Sequence, residues 1–224
     1  MSFSLIPLFP LPLVLFPGQL RQLRIFEPRY RSMLQDCLDN GTPFGLVLSK
    51  PPSDQQTEPL PHEIGTLAHI SEVERLQDGT FGININGGDR FRITRFQHDK
   101  PYLQGVVSTL ALLQAETEEA HSLSQRVQEL LPRYLDALTQ ASGIRFGVHT
   151  IPPEPERLAY LTAIVLQVSN EEKQALLGVN HLPRLLARET RLLYSELDLM
   201  AWISATLADS QKNGFGTDGW LSPN

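Results

Sequence analysis

Few residues in this sequence have the type and spacing that catalysis requires. Nucleophilic catalysis needs a serine, cysteine, threonine or lysine beside an activating group. The single cysteine, Cys37, shares an apolar helical face with Tyr30, Met33 and Leu34, where a thiol acts as a small buried hydrophobe. There is no Gly-x-Ser-x-Gly elbow and no Gly-x4-Gly-Lys-Ser/Thr phosphate loop. The residues therefore predict no catalytic site.

The histidines and carboxylates are poor candidates for a metal centre. Zinc sites group histidines or cysteines at short spacings, and no two histidines form a His-x3-His or similar pair. Glu116, Glu118 and Glu119 are typical of the first turn of a helix, where negative charge complements the helix dipole. We predict no metal site and no cofactor. The six histidines are His62, His69, His98, His121, His149 and His181.

Composition narrows the class of protein. Apolar residues make up 41% and charged residues 20%, which is typical of a soluble globular protein. The net charge of −6 opposes binding to nucleic acid, since phosphates need a concentrated positive field. A lone cysteine excludes an intrachain disulfide and indicates a reducing, cytoplasmic setting. The apolar N-terminus has no basic leader and contains four prolines, so we expect neither a signal peptide nor a membrane span.

The first half has the pattern of β-structure with one helix. Short apolar runs separated by proline and glycine predict about six short strands, and closing them into a barrel would remove reactive edges. Asp78-Gly79 predicts a two-residue turn, Gly87-Gly88 predicts a second turn, and residues 51–61 predict an exposed polar loop.

The one helix in this half is marked at both ends. Glu27 occupies the cap position, Pro28 the first turn, and Gly41 follows the end. Five residues between these signals recur at helical spacing and predict its buried face: Tyr30, Met33, Leu34, Cys37 and Leu38.

After about residue 113 the apolar residues recur at helical spacing. A first stripe from Leu123 to Leu138 contains Pro132, which predicts a kink or a break. A second helix carries Leu158, Leu161 and Val165. A third starts at the capping box Ser169-Asn170-Glu171-Glu172 and stops at Gly178, and a last helix, starting at Pro183, carries Leu186, Glu189 and Leu193 on one side. We predict a barrel-like domain at 1–113, a helical domain at 114–210 and a flexible tail at 211–224.

Several stretches, in their order and spacing, resemble the substrate-binding N-terminal domain of the Lon protease family. The resemblance covers roughly residues 4–208. The stretches are IPLFPLPLVLFPG at 6–18, LRIFEPRYRSM at 23–33, FGLVL at 44–48, IGTLA at 64–68, GDRFRI at 88–93 and PYL at 101–103.

The resemblance implies an α+β fold, a PUA-like pseudo-barrel of about six short strands with one helix, followed by an α-helical bundle. It also implies that this chain is not an enzyme, since neither the ATPase phosphate loop nor the Ser–Lys peptidase dyad of full-length Lon is present. Half-buried charges need partners, so we expect an ion pair of Glu27 with Arg90 or Arg29 to clamp helix to barrel. The signature residues are Glu27, Pro28, Arg29, Tyr30, Gly65, Arg90 and Phe91.

The resemblance further implies a module that binds unfolded or hydrophobic polypeptide segments, as an adaptor or modulator of proteolysis with a protease or chaperone as partner. We predict an exposed apolar surface around Phe9, Leu11, Phe16 and Tyr102, with main-chain partners at a free strand edge. Two alternatives stay open. PUA-like barrels often bind RNA, which the net charge opposes, and an unrecognised hydrolase would require a cleft with perturbed titratable groups.

Overall fold

The structure, a computed structural model, describes residues 3–50, 61–143 and 150–212, and the side chains as far as residue 206. The predicted polar loop at 51–61, apart from its last residue, and the predicted tail from residue 213 onward lie outside this range. The elements are β1 (Phe3–Leu11), β2 (Leu20–Ile25), α1 (Pro28–Asn40), β3 (Phe44–Ser49), β4 (Pro61–Arg75), β5 (Phe81–Gln97), β6 (Gln104–Thr109), α2 (Glu118–Ser142), α3 (Pro155–Val165), α4 (Asn170–Leu177) and α5 (Leu182–Lys212).

Five of the six strands form a ring. β1 pairs in parallel with β3, and antiparallel pairs then link β3 to β4, β4 to β5, β5 to β6, and β6 back to β1. The ring is unevenly closed, with register shifts in the β3–β4, β4–β5 and β5–β6 pairs. β2 stands outside it and pairs along the first half of β5. The mixed α+β class and the six strands are confirmed.

The predicted turn at Gly87-Gly88 is wrong, because both glycines lie inside the continuous strand β5. A Cβ atom on Gly87 would lie 2.1 Å from the carbonyl oxygen of Phe16, so only glycine lets the strand pass so close to that backbone. The glycine pair therefore marks a close approach of two chain segments.

The hairpin between β4 and β5 has a three-residue loop where two residues were predicted. The amide of Leu76 donates to the carbonyl of Thr80 at 2.9 Å, which encloses Gln77, Asp78 and Gly79. The amide of Gly79 donates to Leu76, and Gly79 has a φ of 77°. This is the geometry of a three-residue hairpin loop with a left-handed final residue.

Helix α1 begins and ends where its signals predict, with Pro28 in its first turn and Gly41 at its end. Cys37 is buried on its inner face together with Tyr30, Met33 and Leu34. The prediction that Leu38 is buried on the same face is wrong, because Leu38 is 44% exposed and the buried residues of α1 end at Cys37. Burial and the nearby charge of Asp36 raise the pKa of the Cys37 thiol to about 11, so the thiol is uncharged at neutral pH.

The second half is helical, as predicted. α2 runs through Pro132 as a single helix, so no break occurs there. The hydroxyl of Ser169 accepts from the amide of Glu172 at 3.2 Å and caps α4, which ends at Gly178. In the part of the chain that the structure describes, no helix is long and apolar enough to span a bilayer.

The two halves share one apolar interface. Val14, Phe16 and Leu48 from the strand-rich half pack into the core of the helical half. Leu113 adds a backbone connection, since its amide donates to Asn180 at 2.8 Å and its carbonyl accepts from Leu182 at 2.9 Å. The boundary predicted near residue 113 therefore falls at a packed junction.

Candidate functional site

An open groove of about 660 Å³ lies where the ends of β1 and β2 and the start of α1 meet the connection between β5 and β6. Its floor is aromatic. The rings of Phe9 and Tyr30 lie 4.3 Å apart between centroids, and Tyr102 closes the floor from the β5–β6 connection. We call this the aromatic groove, and its apolar walls are Leu11, Ile25, Phe26, Phe96 and Leu103.

Among the large hydrophobic side chains of the aromatic groove, Phe26 is the most exposed, at 61%. It immediately precedes the helix cap, a position from which an apolar side chain often packs against the fourth helical residue. That residue is Arg31, whose Nε instead donates to the Phe26 carbonyl at 3.1 Å. The sequence does contain a signal for this exposed ring, namely an apolar residue directly before the cap and a cation at the fourth helical position. The exposure of Phe26 was not among the predictions from the sequence.

The rim of the groove is charged but close to neutral. Arg24 pairs with Asp78, Arg29 with Glu27 at 2.9 Å, and Lys100 with Asp36 at 3.2 Å. Every member of these pairs is at least 37% exposed, so each pair contributes little to stability. The rim therefore offers polar contacts without a strong field of either sign.

Tyr102 connects the floor to the rim. Its hydroxyl donates to the carboxylate of Asp36, and this bond, with help from Lys100, lowers the pKa of Asp36. Burial of Tyr102 and the negative charge of Asp36 raise the pKa of the phenol. The hydroxyl thus keeps its proton and holds the ring against the floor.

Only some of the predicted binding residues lie together in the structure. Phe9, Leu11 and Tyr102 line the aromatic groove. Phe16 does not, because it is 1% exposed and packs into the helical core. The expected exposure is also wrong for Phe9 and Tyr102, each 4% exposed, since the sheet and α1 cover them. The contact of these residues with a bound polypeptide stays a prediction.

Of the two ion-pair partners predicted for Glu27, Arg29 is confirmed and Arg90 is wrong. Glu27 pairs with Arg29, two residues along the chain, so that pair does not join helix to barrel. Arg90 is 2% exposed, and its Nη1 donates to the carbonyls of Leu177 at 2.7 Å and Val179 at 2.6 Å. A buried guanidinium binding the carbonyls at the end of α4 therefore joins the barrel to the helical half.

The other signature residues have structural positions. Pro28 starts α1, and the guanidinium of Arg29 lies 4.7 Å from the centroid of the Tyr30 ring. Phe91 fills the interior of the ring, and a Cβ on Gly65 would lie 2.7 Å from its Cζ and 2.4 Å from the Leu46 carbonyl oxygen. These residues shape the scaffold around the groove.

A second cleft, of about 700 Å³, lies beside the start of α3. Tyr160, Leu161 and Ile164 form its apolar side, and Pro17 and Gly18 border it from the β1–β2 connection. Three carboxylates and one guanidinium, Glu116, Glu154, Glu156 and Arg157, make its mouth acidic. Among the described residues, no three histidine, cysteine or carboxylate side chains are grouped closely enough to hold a metal ion.

Comparison with protein families adds a match along most of the chain. Residues 5–195 fit the model of the ATP-dependent protease La (LON) substrate-binding domain. The Lon protease of Dictyoglomus thermophilum is 25% identical over 206 residues, which are 88% of this chain and 25% of that protein. That of Azospirillum brasilense is 24% identical over 201 residues, 86% of this chain and 24% of that protein. The chain thus spans about a quarter of the length of these relatives.

Two solved structures share the fold. A Lon N-terminal domain protein from Xanthomonas campestris aligns with a TM-score of 0.59 and 25% identity, covering 83% of this chain and 96% of that one. The N-terminal domain of the Mycobacterium avium complex Lon protease aligns with a TM-score of 0.63 and 18% identity, covering 87% and 98%. The second likeness concerns the fold alone.

Proposed function

The chain belongs to the ATP-dependent protease La (LON) substrate-binding domain family, and on that basis we propose that it binds polypeptide segments in the aromatic groove. The observation that carries the proposal is the groove itself, an apolar depression floored by Phe9, Tyr30 and Tyr102 and edged by the exposed ring of Phe26. Binding would present or hold a polypeptide without chemical change to it.

The groove has the size and chemistry for one or two apolar side chains. Its volume of about 660 Å³ falls within the range of small-ligand sites. Rigid aromatic rings give contact area at a low entropic cost, because they have few rotatable bonds. A small apolar patch of this kind supports an affinity of roughly micromolar or weaker, which suits transient capture.

The rim favours polypeptide over nucleic acid. Arg24, Arg29 and Lys100 each face a carboxylate, so a phosphate backbone would meet no net positive field. We further propose that the protein hands polypeptide segments to a protease or chaperone, or modulates one, because its family is the substrate-binding domain of an ATP-dependent protease.

The test is a titration of the full chain with an unstructured peptide containing two phenylalanines and two leucines, followed through backbone amide shifts. We expect shifts around Phe9, Phe26 and Tyr102. Phe26→Ser should weaken binding by about fivefold or more, equivalent to about 1 kcal/mol. Leu199→Ser is the matched control, because Leu199 is 49% exposed on α5 and lies outside the groove. The affinity of this variant for the peptide should be unchanged.

Two outcomes would overturn the proposal. One is an affinity that both variants lower equally, which would locate binding elsewhere. The other is the absence of any peptide binding. Tight, salt-sensitive binding of an RNA oligonucleotide in a mobility-shift assay would in that case support the RNA-binding alternative.

A further inference from the structure

Strand β2 has one paired edge and one that the described residues leave unpaired. It ends the strand order of the sheet and pairs with β5 alone within the described chain. Leu20, Arg21 and Gln22 are exposed in succession, with Leu20 at 75%. Consecutive residues of a strand point to opposite faces, so exposure of all three means that both faces, and the edge between them, are accessible. Such an edge can pair with another strand.

The opposite edge of the same three-stranded extension, formed by the second half of β4, is protected. Its pairing with β5 shifts register between Ile70 and Glu72, and a bulge of this kind twists an edge away from partners. It also carries Glu72 and Glu74. β2 pairs in unbroken register from Leu20 to Ile25 and contains no proline. Of the two edges, β2 is the one that is open to a partner.

We propose that an extended polypeptide segment docks along the outer edge of β2 as an added strand and places an apolar side chain in the aromatic groove. This inference rests on the proposed function and specifies its binding mode. The strand leads directly into the groove, since Arg24 and Ile25 line it and Phe26 follows at once. At the other end, Gly18 borders the second cleft. Six residues of strand span about 20 Å, enough for a bound segment of similar length.

The charge of β2 indicates the chemistry of the occupant. The strand carries Arg21 and Arg24 and no acidic residue. Arg24 pairs with Asp78, whereas Arg21 is in none of the ion pairs found among the described residues. Lys173 lies near enough for the charge of Arg21 to lower its pKa, in addition to the larger effect of burial. The edge therefore favours a segment whose apolar residues alternate with carboxylates.

The probe is a seven-residue peptide that alternates leucine or phenylalanine with glutamate, titrated against the full chain. Two further versions carry N-methyl groups on alternate residues, one set on the even and one on the odd positions. In an added strand, the backbone amides of either the even or the odd residues donate hydrogen bonds to β2, but not both. We expect one version to lose about tenfold or more in affinity and the other to keep it. Lysine in place of glutamate should weaken binding about fivefold at low salt.

Hydrogen exchange gives a second readout. The bound peptide should slow exchange of alternate amides between Leu20 and Ile25 and leave the amides of residues 69–75 in β4 unchanged. Equal affinity of all N-methylated versions, with binding still weakened by Phe26→Ser, would overturn edge docking and leave the groove proposal intact. Absence of any peptide binding would overturn both.

Discussion

The guanidinium of Arg90 donates to the carbonyl of Leu177 across 2.7 Å, although the two residues are 87 positions apart. The last carbonyls of a helix have no partner within it, and here a side chain of the barrel supplies one. The ring of Tyr160 lies 5.7 Å from the same guanidinium. Arg90 therefore sets how the helical half sits against the strands.

Loss of Arg90 should destabilise the protein. Arg90→Ala removes two charge-assisted hydrogen bonds from a buried site, and we expect the free energy of unfolding to fall by about 3 kcal/mol. Arg90→Met should cost less, about 1–2 kcal/mol, because methionine fills much of the space that alanine would leave empty. Urea unfolding measures both.

Arg92→Ala is the control for Arg90. Arg92 is two residues along the same strand, 47% exposed, and its ion pair with Glu63 is 3.7 Å long. Its removal should change the unfolding free energy by less than about 0.5 kcal/mol. A similar cost for Arg90→Ala and Arg92→Ala would contradict the role of the buried contact.

Local signals in the sequence predicted the elements well. The ends of α1 follow from Pro28 and Gly41, and the start of α4 follows from Ser169, because caps and helix breakers act within a few residues. The burial of Cys37 follows from helical spacing alone. These interactions need no knowledge of the tertiary fold.

Contacts between distant segments could not be predicted in the same way. Arg90 binds carbonyls in another element, and Phe16 packs into the core of the other half, and neither partner is marked by a local pattern. Gly87 resembles a turn glycine in sequence, yet its small size serves an approach to the backbone of Phe16. Of the groove, the sequence indicated Phe9, Leu11 and Tyr102 but not Phe26.

Gly65 tests how tightly the ring is packed. An alanine Cβ there would lie 2.4 Å from the Leu46 carbonyl oxygen and 2.6 Å from Cγ1 of Val47. Since backbone cannot move aside cheaply, Gly65→Ala should cost about 1–3 kcal/mol or more of unfolding free energy. Gly82→Ala, in β5, is the matched control, because its nearest neighbour, Cδ2 of Leu76, is 4.0 Å away. It should change stability by less than about 0.5 kcal/mol, and equal costs would refute the packing argument.

The cap of α4 should contribute measurably to the free energy of unfolding. Ser169→Ala removes the acceptor for the amide of Glu172, and we expect a loss of about 1 kcal/mol in thermal or urea unfolding. Ser195→Ala, on an exposed position within α5, makes the same chemical change away from a cap and should be neutral or slightly stabilising. A neutral Ser169→Ala would mean that water replaces the cap.

The Tyr102 hydroxyl should control the titration of Asp36. Its hydrogen bond is the largest cause of the lowered pKa of Asp36, so Tyr102→Phe should raise that pKa towards its ordinary value. Lys100→Met should raise it as well. A lowered pKa in the folded state stabilises the protein above the ordinary pKa, and the stabilisation is lost as pH falls through the folded value. Tyr102→Phe should therefore cost more stability at pH 7 than at pH 3. A carboxyl titration by NMR that shows no change in Asp36 would contradict this.

Glu189 gives the clearest pH dependence, because it is buried in the helical half of the protein. The residue is 0% exposed, and neither carboxyl oxygen has a hydrogen-bond partner among the described residues. Burial raises the pKa of Glu189 well above its ordinary value of 4.5. The folded protein therefore keeps the proton of Glu189 up to a higher pH than the unfolded chain does.

The sign of the effect follows from that difference. The contribution of the protonated Glu189 to the free energy of unfolding is complete below pH 4.5 and is lost as pH rises through the folded pKa. In that interval the free energy of unfolding falls by up to about 1.4 kcal/mol per pH unit. Glu189→Gln cannot ionise, so its unfolding free energy should exceed that of the parent by a margin that grows between pH 5 and pH 8. Urea unfolding across this range measures the margin. Glu196→Gln, at a half-buried position with a smaller rise in pKa, is the control that should show a weaker trend. A margin for Glu189→Gln that is constant with pH would mean that the carboxyl is ionised in the fold, and the buried, partnerless position would then be wrong.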